Sequence, residues 1–388
     1  MIITERRKKC LNELLKTDLD GLLYAAGGNF QYLTETTSYF WQRYCFSLDV
    51  PVAGSHIIPE CLVFMDREGN TTVLTIPSKK DHFDTTINDV VVSYMDQFED
   101  ELLHIVKGKK IGIGRDCDDW MIRTLQAVDP EIVTVGADTL FDDIRRIKDE
   151  KEIAQMRKLA KFTDDAVMYV VKHMYEGMTM FECERGIIDY GLTHGMQDLS
   201  FSPTCGFKTR NTENAQNIEP FEPERKLVPG TMVAFDIGYM DQGYCSDWGR
   251  TVYWGKAPEL VKKGYEALQA AECHMVSQIV PGKTKFGELY GFICDKAGEL
   301  GYEKYLRFQR NDYPGGNGHH IGTEVHEVPF MLSDSELVLQ PGMIFCSEPK
   351  MFFPNEGYMR VEDMILVTED GAEFLTNFPR DLFEIGNE

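Results

Sequence analysis

Four carboxylates in or beside apolar, strand-like runs are the residues of this chain with the most chemistry to offer. In MVAFDIGYMDQGYCSDWGRT (232–251), Val233, Phe235 and Ile237 alternate with smaller or polar positions, which predicts a strand carrying Asp236 at its end. The segment reads as two short strands joined by a glycine-containing turn, with Asp247 on the return strand. Glu348 in CSEPKMFF and Glu362 in GYMRVEDMILV have similar settings. Burying one carboxylate beside such a run is costly, and burying several is more so unless a cation compensates. Between the two pairs lies PGGNGHHIGTEVHEVP (314–329), the densest histidine cluster, whose glycines let the backbone approach a site and bring a histidine toward it. One imidazole and four carboxylates suit two divalent ions about 3.5–4 Å apart, with the charges nearly balanced. No thiolate is required, which favours Mn, Co or Fe, with Zn as an option, over a structural zinc site.

The elements that would carry these acids repeat. Gly177-Met178-Thr179-Met180-Phe181 returns as Gly282-Lys283-Thr284-Lys285-Phe286, each following one predicted helix and opening another with Thr as N-cap. Thr179 and Glu182 have the spacing of a capping box. Leu227-Val228-Pro229-Gly230 precedes Asp236 as Leu339-Gln340-Pro341-Gly342 precedes Glu348, the acid lying seven residues after the proline in both copies. The two matches occur in the same order at offsets of 105 and 112 residues, which favours duplication. Two helix–helix–hairpin halves related by a pseudo-two-fold would bring their acidic strands to one centre.

Upstream, strands and helices alternate, so residues 1–145 read as an α/β domain. Residues 4–16 predict an amphipathic helix with Cys10, Leu11, Leu14 and Leu15 on one face. Asn29–Thr34 suits a short helix or strand, and Cys61–Met65 with Thr72–Ile76 suits a hairpin. Gly112-Ile113-Gly114 lacks the third glycine of a dinucleotide fingerprint. The charged run DDIRRIKDEKE (142–152) opens a long helix and marks the boundary to a second domain, 146–388.

A formal charge of −23 repels nucleic acid and anionic membranes, so neither is an expected partner. No apolar run approaches the ~20 residues of a membrane span. MIITERRKKC has no apolar signal core, and ten cysteines without a CxxC pair suit buried thiols in a reducing cytoplasm, so a cytoplasmic location is expected.

With these residues in view, the chain resembles the metallopeptidases of the methionine aminopeptidase, prolidase and creatinase superfamily. The opener IRRIKDEKEIAQMRKLA (144–160) is similar to the start of their catalytic domain, and Gly318-His319-His320-Ile321-Gly322-Thr323-Glu324-Val325-His326-Glu327 matches their G-H-x-I-G-x-x-V-H-E motif. The resemblance implies a creatinase/prolidase-like N-terminal domain and a catalytic α+β "pita-bread" domain. It implies Asp236, Asp247, His319, Glu348 and Glu362 as metal ligands. It further implies Glu348 as proton shuttle for a water activated between two metals, His326 as a non-ligand contact to substrate, and Arg360 as a support for a ligating carboxylate. The implied activity is cleavage of X-Pro bonds, of the aminopeptidase P or prolidase type, on a short peptide or other small substrate. A homodimer is also implied, with Tyr39–Tyr44 (YFWQRY) as a contact or as part of its own domain's core.

Two departures bear on substrate. Where these peptidases carry another histidine, about 17 residues before the first Asp ligand, this chain has Glu219, and Trp248-Gly249 replace the aliphatic residue and Thr of D-x-T-R-T. AFD, GYC-x-D and RT within 234–251 are also similar to dimethylsulfoniopropionate lyases of the same fold. The alternative is therefore a non-peptidase enzyme acting on a small zwitterion by lyase or small-amide hydrolase chemistry. Creatine hydrolysis is disfavoured, because creatinase-like members usually lack the full metal set.

Overall fold

The strand Cys61–Asp66 shows how the first unit is assembled. Cys61, Val63 and Met65 face a core with Cys10, Leu14, Phe30 and Phe141, while Leu62 and Phe64 face a second core with Leu102, Ile111 and Leu125. Both faces are covered, so the strand reads as a continuous apolar run. It lies within a mixed six-stranded sheet ordered Asp89–Val92, Thr71–Thr75, Cys61–Asp66, Gly21–Tyr24, Lys110–Ile113, Val133–Gly136. The computed structural model describes residues 2–386 apart from 26, 39–48, 53–55, 115, 116, 118, 219–221, 309 and 311–316. Glu219 and the aromatic stretch at 39–44 lie outside the described residues. The chain divides into two compact units, Met1–Arg145 and Arg146–Glu388.

Two local expectations in the first unit need revision or choice. The stretch around Asn29–Thr34 is a helix, Gly28–Thr34. Helix Glu5–Leu15 buries Cys10 and Leu14 together with Arg7, whereas Leu15 is 46% exposed. Positions 7, 10 and 14 share a face, and Leu15 falls roughly 100° round from Leu14. The buried Arg7 guanidinium is tolerated because it donates to the Leu33 carbonyl at 3.3 Å and to Asn88.

The charged run at the division between the units is two helices, not one. Asp142–Arg146 is short, and the long helix α1 (Glu150–Lys172) starts afresh with Asp149 and Glu152 forming a capping box. The first half continues with α2 (Met180–Thr193), β1 (Thr204–Thr209), β2 (Thr231–Ile237), β3 (Tyr239–Asp241), β4 (Tyr244–Cys245) and β5 (Trp248–Trp254). The second half contributes α3 (Glu259–Ser277), α4 (Leu289–Glu299), β6 (Gly318–His320), β7 (Glu327–Phe330), β8 (Ile344–Ser347), β9 (Lys350–Phe353), β10 (Gly357–Arg360) and β11 (Asp363–Val367).

The antiparallel triplets β1-β2-β5 and β6-β8-β11 have the same order, and each half adds a helix pair. The repeated motifs are pegged alike. Gly177 N–H donates to Leu227 O at 2.8 Å and Leu227 N–H to Met178 O at 2.7 Å; Gly282 N–H donates to Leu339 O at 2.8 Å and Leu339 N–H to Thr284 O at 2.9 Å. The caps differ, however. Thr179 caps α2 as expected, but the Thr284 hydroxyl accepts from Val280 N–H at 2.9 Å, and the next turn starts at Lys285, whose N–H donates to Glu288 at 2.8 Å. The second copy opens with a 3-10 turn, Phe286–Glu288, which moves the cap position one residue on.

Candidate metal centre

β2 is paired on both sides, with Thr204 opposite Asp236 on β1 and Gly249 opposite it on β5. The chain between Asp236 and Asp247 is more elaborate than two strands and a turn. After Ile237 it leaves the sheet, forms the β3–β4 hairpin around Gln242 (φ 51°) and Gly243 (φ 79°), and returns at Trp248. Gly238 permits the exit, since a Cβ there would lie 2.0 Å from the Ser246 carbonyl oxygen. Ser246 then locks the crossing, its hydroxyl accepting from Tyr239 N–H at 2.9 Å. Asp247 is thereby set, buried, at the start of β5.

The second half delivers its residues across β6, β8 and β11. His319 on β6 stands opposite Cys346 on β8, and Glu348 follows β8 with its N–H donating to Asn317 O at 3.0 Å. Glu362 sits between β10 and β11 and ties the halves together: its N–H donates to Gly249 O at 2.8 Å, and Gly249 N–H donates to Glu362 O at 3.2 Å.

Asp247, His319, Cys346 and Glu362 converge, each offering one donor atom within 4.8 Å of the others, and all four are buried. His319 Nδ1 lies 3.0 Å from the His320 carbonyl, which can only accept, so Nδ1 carries a proton and Nε2 faces Asp247 Oδ2 at 3.3 Å. His320, its neighbour, turns instead to Phe286 and Phe345, with Nδ1 3.2 Å from Ile344 O, as a core histidine. His326 packs edge-on against His319, ring centroids 4.4 Å apart, at the solvent side of the site.

Asp236 and Glu348 are not in that four-donor cluster. Arg360 pairs with Asp236 and donates to Glu348 Oε2 at 2.8 Å, and Lys350 Nζ also binds Glu348 Oε2. Gly249 makes the room: a Cβ there would lie 2.6 Å from Arg360 Cδ and 2.9 Å from Glu362 Cβ. The position where a Thr hydroxyl was expected is therefore filled by the Arg360 side chain. Beside Asp236 a cavity of about 290 Å³ opens, with Glu184, Lys208, Lys350, Tyr358 and Arg360 among its lining residues.

These residues fit divalent ions. Asp247 Oδ1 and Glu362 Oε2 are buried without a hydrogen-bond partner. Burial, then the neighbouring Glu348, pushes the Asp247 carboxyl well above the usual carboxylate range, and burial with Asp247 pushes Glu362 up to about 8. Acids so placed carry charge readily only when a cation arrives.

Two of the site's side chains, Cys346 and Lys350, went unrecognised in the sequence. Cys346 precedes Glu348 by two residues in a strand, so period-2 alternation could have put it on the same face. Lys350 looks like an ordinary strand-end lysine but is buried.

Trp248 is held by Asp164 of α1, whose carboxylate accepts from the indole at 2.8 Å and from Asn377 N–H at 2.6 Å. Burial pushes Asp164 up to about 6 despite those donors. A folded value above the unfolded one means that this contribution to stability is whole below about pH 4 and is lost as pH rises to about 6. Metal-free protein should lose about 3 kcal/mol over that window relative to Asp164→Asn, read from urea unfolding. Parallel stability curves for the two proteins would refute it.

Two repeated halves, each a helix pair with an antiparallel triplet, around a buried acid–imidazole cluster define a pita-bread metalloenzyme. Metallopeptidase family M24 matches residues 154–369, more than half of the chain, and the chain belongs to that family. It is similar to the Xaa-Pro dipeptidase of Pyrococcus horikoshii, 26% identical over 384 residues that cover 98% of this chain and 99% of the relative. An uncharacterized peptidase of Bacillus subtilis, YqhT, is 29% identical over 254 residues, 66% of this chain and 68% of that one. Among solved structures, the prolidase of P. horikoshii OT3 aligns with a TM-score of 0.78 at 26% identity, covering 98% of this chain and 100% of its own. The X-Pro aminopeptidase of Thermotoga maritima shares the fold, with a TM-score of 0.78 at 20% identity over 96% of this chain and 100% of its own. Among the described residues no helix is long and apolar enough to cross a membrane.

Proposed function

We propose that the protein is a cytoplasmic, homodimeric Xaa-Pro peptidase, with residues 1–145 as a non-catalytic creatinase/prolidase-like domain and 146–388 as the catalytic domain. The end-to-end similarity to the P. horikoshii Xaa-Pro dipeptidase carries this reading. Asp236, Asp247, His319, Glu348 and Glu362 would hold two divalent ions, Mn, Co or Fe, with Zn as an option. Such ions, when bound, lower the pKa of a water and polarise a carbonyl. Glu348, oriented by Lys350 and Arg360, takes the proton of the attacking water and passes it to the leaving proline nitrogen. His326 donates an N–H to the carbonyl oxygen as charge develops there. Lys208, Lys350 and Arg360 line the cavity beside Asp236 together with Glu184; with Asp236 and Glu348 given over to metal, these cations would suit the free carboxylate of a C-terminal proline and favour dipeptides over longer peptides. The peptidase names of the relatives favour this reading over the zwitterion alternative.

The test is to assay metal-loaded protein against X-Pro dipeptides, longer X-Pro peptides and dimethylsulfoniopropionate. Proline release from dipeptides is expected, falling about 10²–10⁴-fold in Glu348→Gln. Turnover of the zwitterion without proline release would overturn the assignment. Undiminished proline release by Glu348→Gln would remove Glu348 as the base.

A further inference from the structure

We infer that Glu184 is a specificity-determining residue that binds an ammonium group of the substrate, carried by residue X as its α-amino group or on a basic side chain. The inference rests on the Xaa-Pro reading above and adds the group that reads the end of the dipeptide opposite its carboxylate. Two elements of the first half wall the cavity beside Asp236. On α2, Met180 and Glu184 are one helical turn apart and share the face that lines it. On β1, Thr204, Gly206 and Lys208 line it by period-2 alternation, while Cys205 and Phe207 point the other way and are buried. Position along β1 orders the charges. Thr204 stands opposite Asp236, and the Cys205 N–H donates to Glu184 Oε1 at 3.2 Å, so Glu184 is at the metal end. Lys208 follows four residues after Thr204, about 13 Å along the strand. Gly206, between them, puts no side chain into the space.

Glu184 is a half-buried carboxylate to which no cation is assigned. Among the described residues its hydrogen-bond partner is the Cys205 N–H, and no cation of the cavity pairs with it. Those cations are engaged elsewhere. Lys208 Nζ donates to the Asn217 carbonyl and lies 5.6 Å from the centre of the Tyr358 ring, Lys350 binds Glu348, and Arg360 pairs with Asp236 and Glu348. Burial raises the Glu184 carboxyl above its ordinary value, against the pull of the Cys205 N–H. A purely structural acceptor for that N–H would need no charge, and a carboxylate holding one donor has room for several more. An ammonium supplies them as short, charge-assisted hydrogen bonds and offsets the burial. The two ends of an X-Pro dipeptide then meet opposite charges, residue X at Glu184 beside the metal end and the proline carboxylate at the cavity's lysines and arginine.

Steady-state kinetics of the metal-loaded wild type and Glu184→Gln on Ala-Pro, Lys-Pro and norleucyl-Pro test this. The glutamine keeps an acceptor for the Cys205 N–H and removes only the charge. For substrates whose ammonium meets Glu184, KM should rise about 10–100-fold in the variant, with kcat and metal content little changed. A rise for all three dipeptides identifies the α-amino group. A rise for Lys-Pro alone, with loss of the wild type's preference for Lys-Pro over norleucyl-Pro, identifies the side chain. Either pattern supports the inference. KM values within about twofold of wild type for all three overturn it while leaving the Xaa-Pro reading intact, as does a loss confined to kcat. Metal-loaded wild type that releases no proline from any of the three overturns both.

Discussion

Asp247→Asn combined with Glu362→Gln should yield a folded protein that has lost its metal and nearly all its activity. Both side chains lie in the four-donor cluster, and each has a buried oxygen without a hydrogen-bond partner. An amide in place of each carboxylate removes the charge that compensates the ion. Metal content should drop to background, and peptide hydrolysis by about 10³-fold or more, since the lost Lewis-acid contribution is several kcal/mol and about 1.4 kcal/mol is tenfold in rate. Stability should move the other way in the metal-free state. Burial holds both carboxyls above their ordinary values, Glu362 at about 8. Their contribution to stability is therefore whole below the unfolded carboxylate range and is lost as pH rises through the folded value, near 8 for Glu362. The amides do not titrate, so above neutral pH the metal-free variant should melt higher than the metal-free wild type. Added metal should raise the melting temperature of the wild type alone, by the linkage that stabilises any protein whose ligand binds only the folded state. Metal analysis and calorimetry with and without added metal read all of this. Full metal content in the double variant would remove these two residues from the ligand set.

The second large effect is expected at the buried pair beneath the site. Arg250 and Asp363 are ion-paired with both side chains fully buried, and Arg380 approaches Asp363 at 3.2 Å. Burial works to raise Asp363, but Arg250 and Arg380 outweigh it and hold it at about 2, while burial beside Asp363 pushes Glu272 well above the usual range. Arg250 also donates to the carbonyls of Gly249 and Glu362, both at 2.8 Å, so it braces the bridge between the two halves. Arg250→Leu would strand a buried carboxylate and should cost about 3–5 kcal/mol, on the order of 10 °C in melting temperature. Removing both charges, in Arg250→Leu with Asp363→Leu, should cost less than the sum of the single changes. Metal affinity should fall as well, by about 10–100-fold, because the backbone carrying Glu362 loses its tether. Additive stabilities in this double-mutant cycle would mean that the pair is not coupled. The depressed Asp363 value adds a pH signature: its contribution is present above the unfolded carboxylate range and is lost as pH falls toward about 2.

Much of the site was legible in the chain because a carboxylate in an apolar strand stands out against its neighbours. Asp236 closing MVAF and Glu348 closing MIFCS are such contrasts, and the shared Pro-Gly spacing before each gave the duplication away. The tight pegs at Gly177 and Gly282 left a similar mark, since both backbones take positive φ, 89° and 74°, where glycine is favoured. Cys346 gave no such contrast. A cysteine in a strand reads as a small apolar filler, and its role depends on who stands across the sheet. Lys350 and Gly249 were opaque for a related reason. The burial of one and the missing side chain of the other make sense only once Arg360 is seen between Asp236 and Glu348.

Legible in the chain alone were a division into two parts, the repeated half, and the acids and histidine that stand as candidates for the centre, of which Asp247, His319 and Glu362 converge. Those features follow from backbone periodicity and from the cost of burying charge, which act over a few residues. Tertiary structure decided which donors meet. It set Cys346 opposite His319, drew Glu348 to Arg360 and Lys350, and turned His320 into the core. Such choices depend on the register of strands and on the packing of segments more than a hundred residues apart, as where Glu362 meets Gly249. No local pattern encodes them, because each is settled by the competition of many side chains for the same buried space.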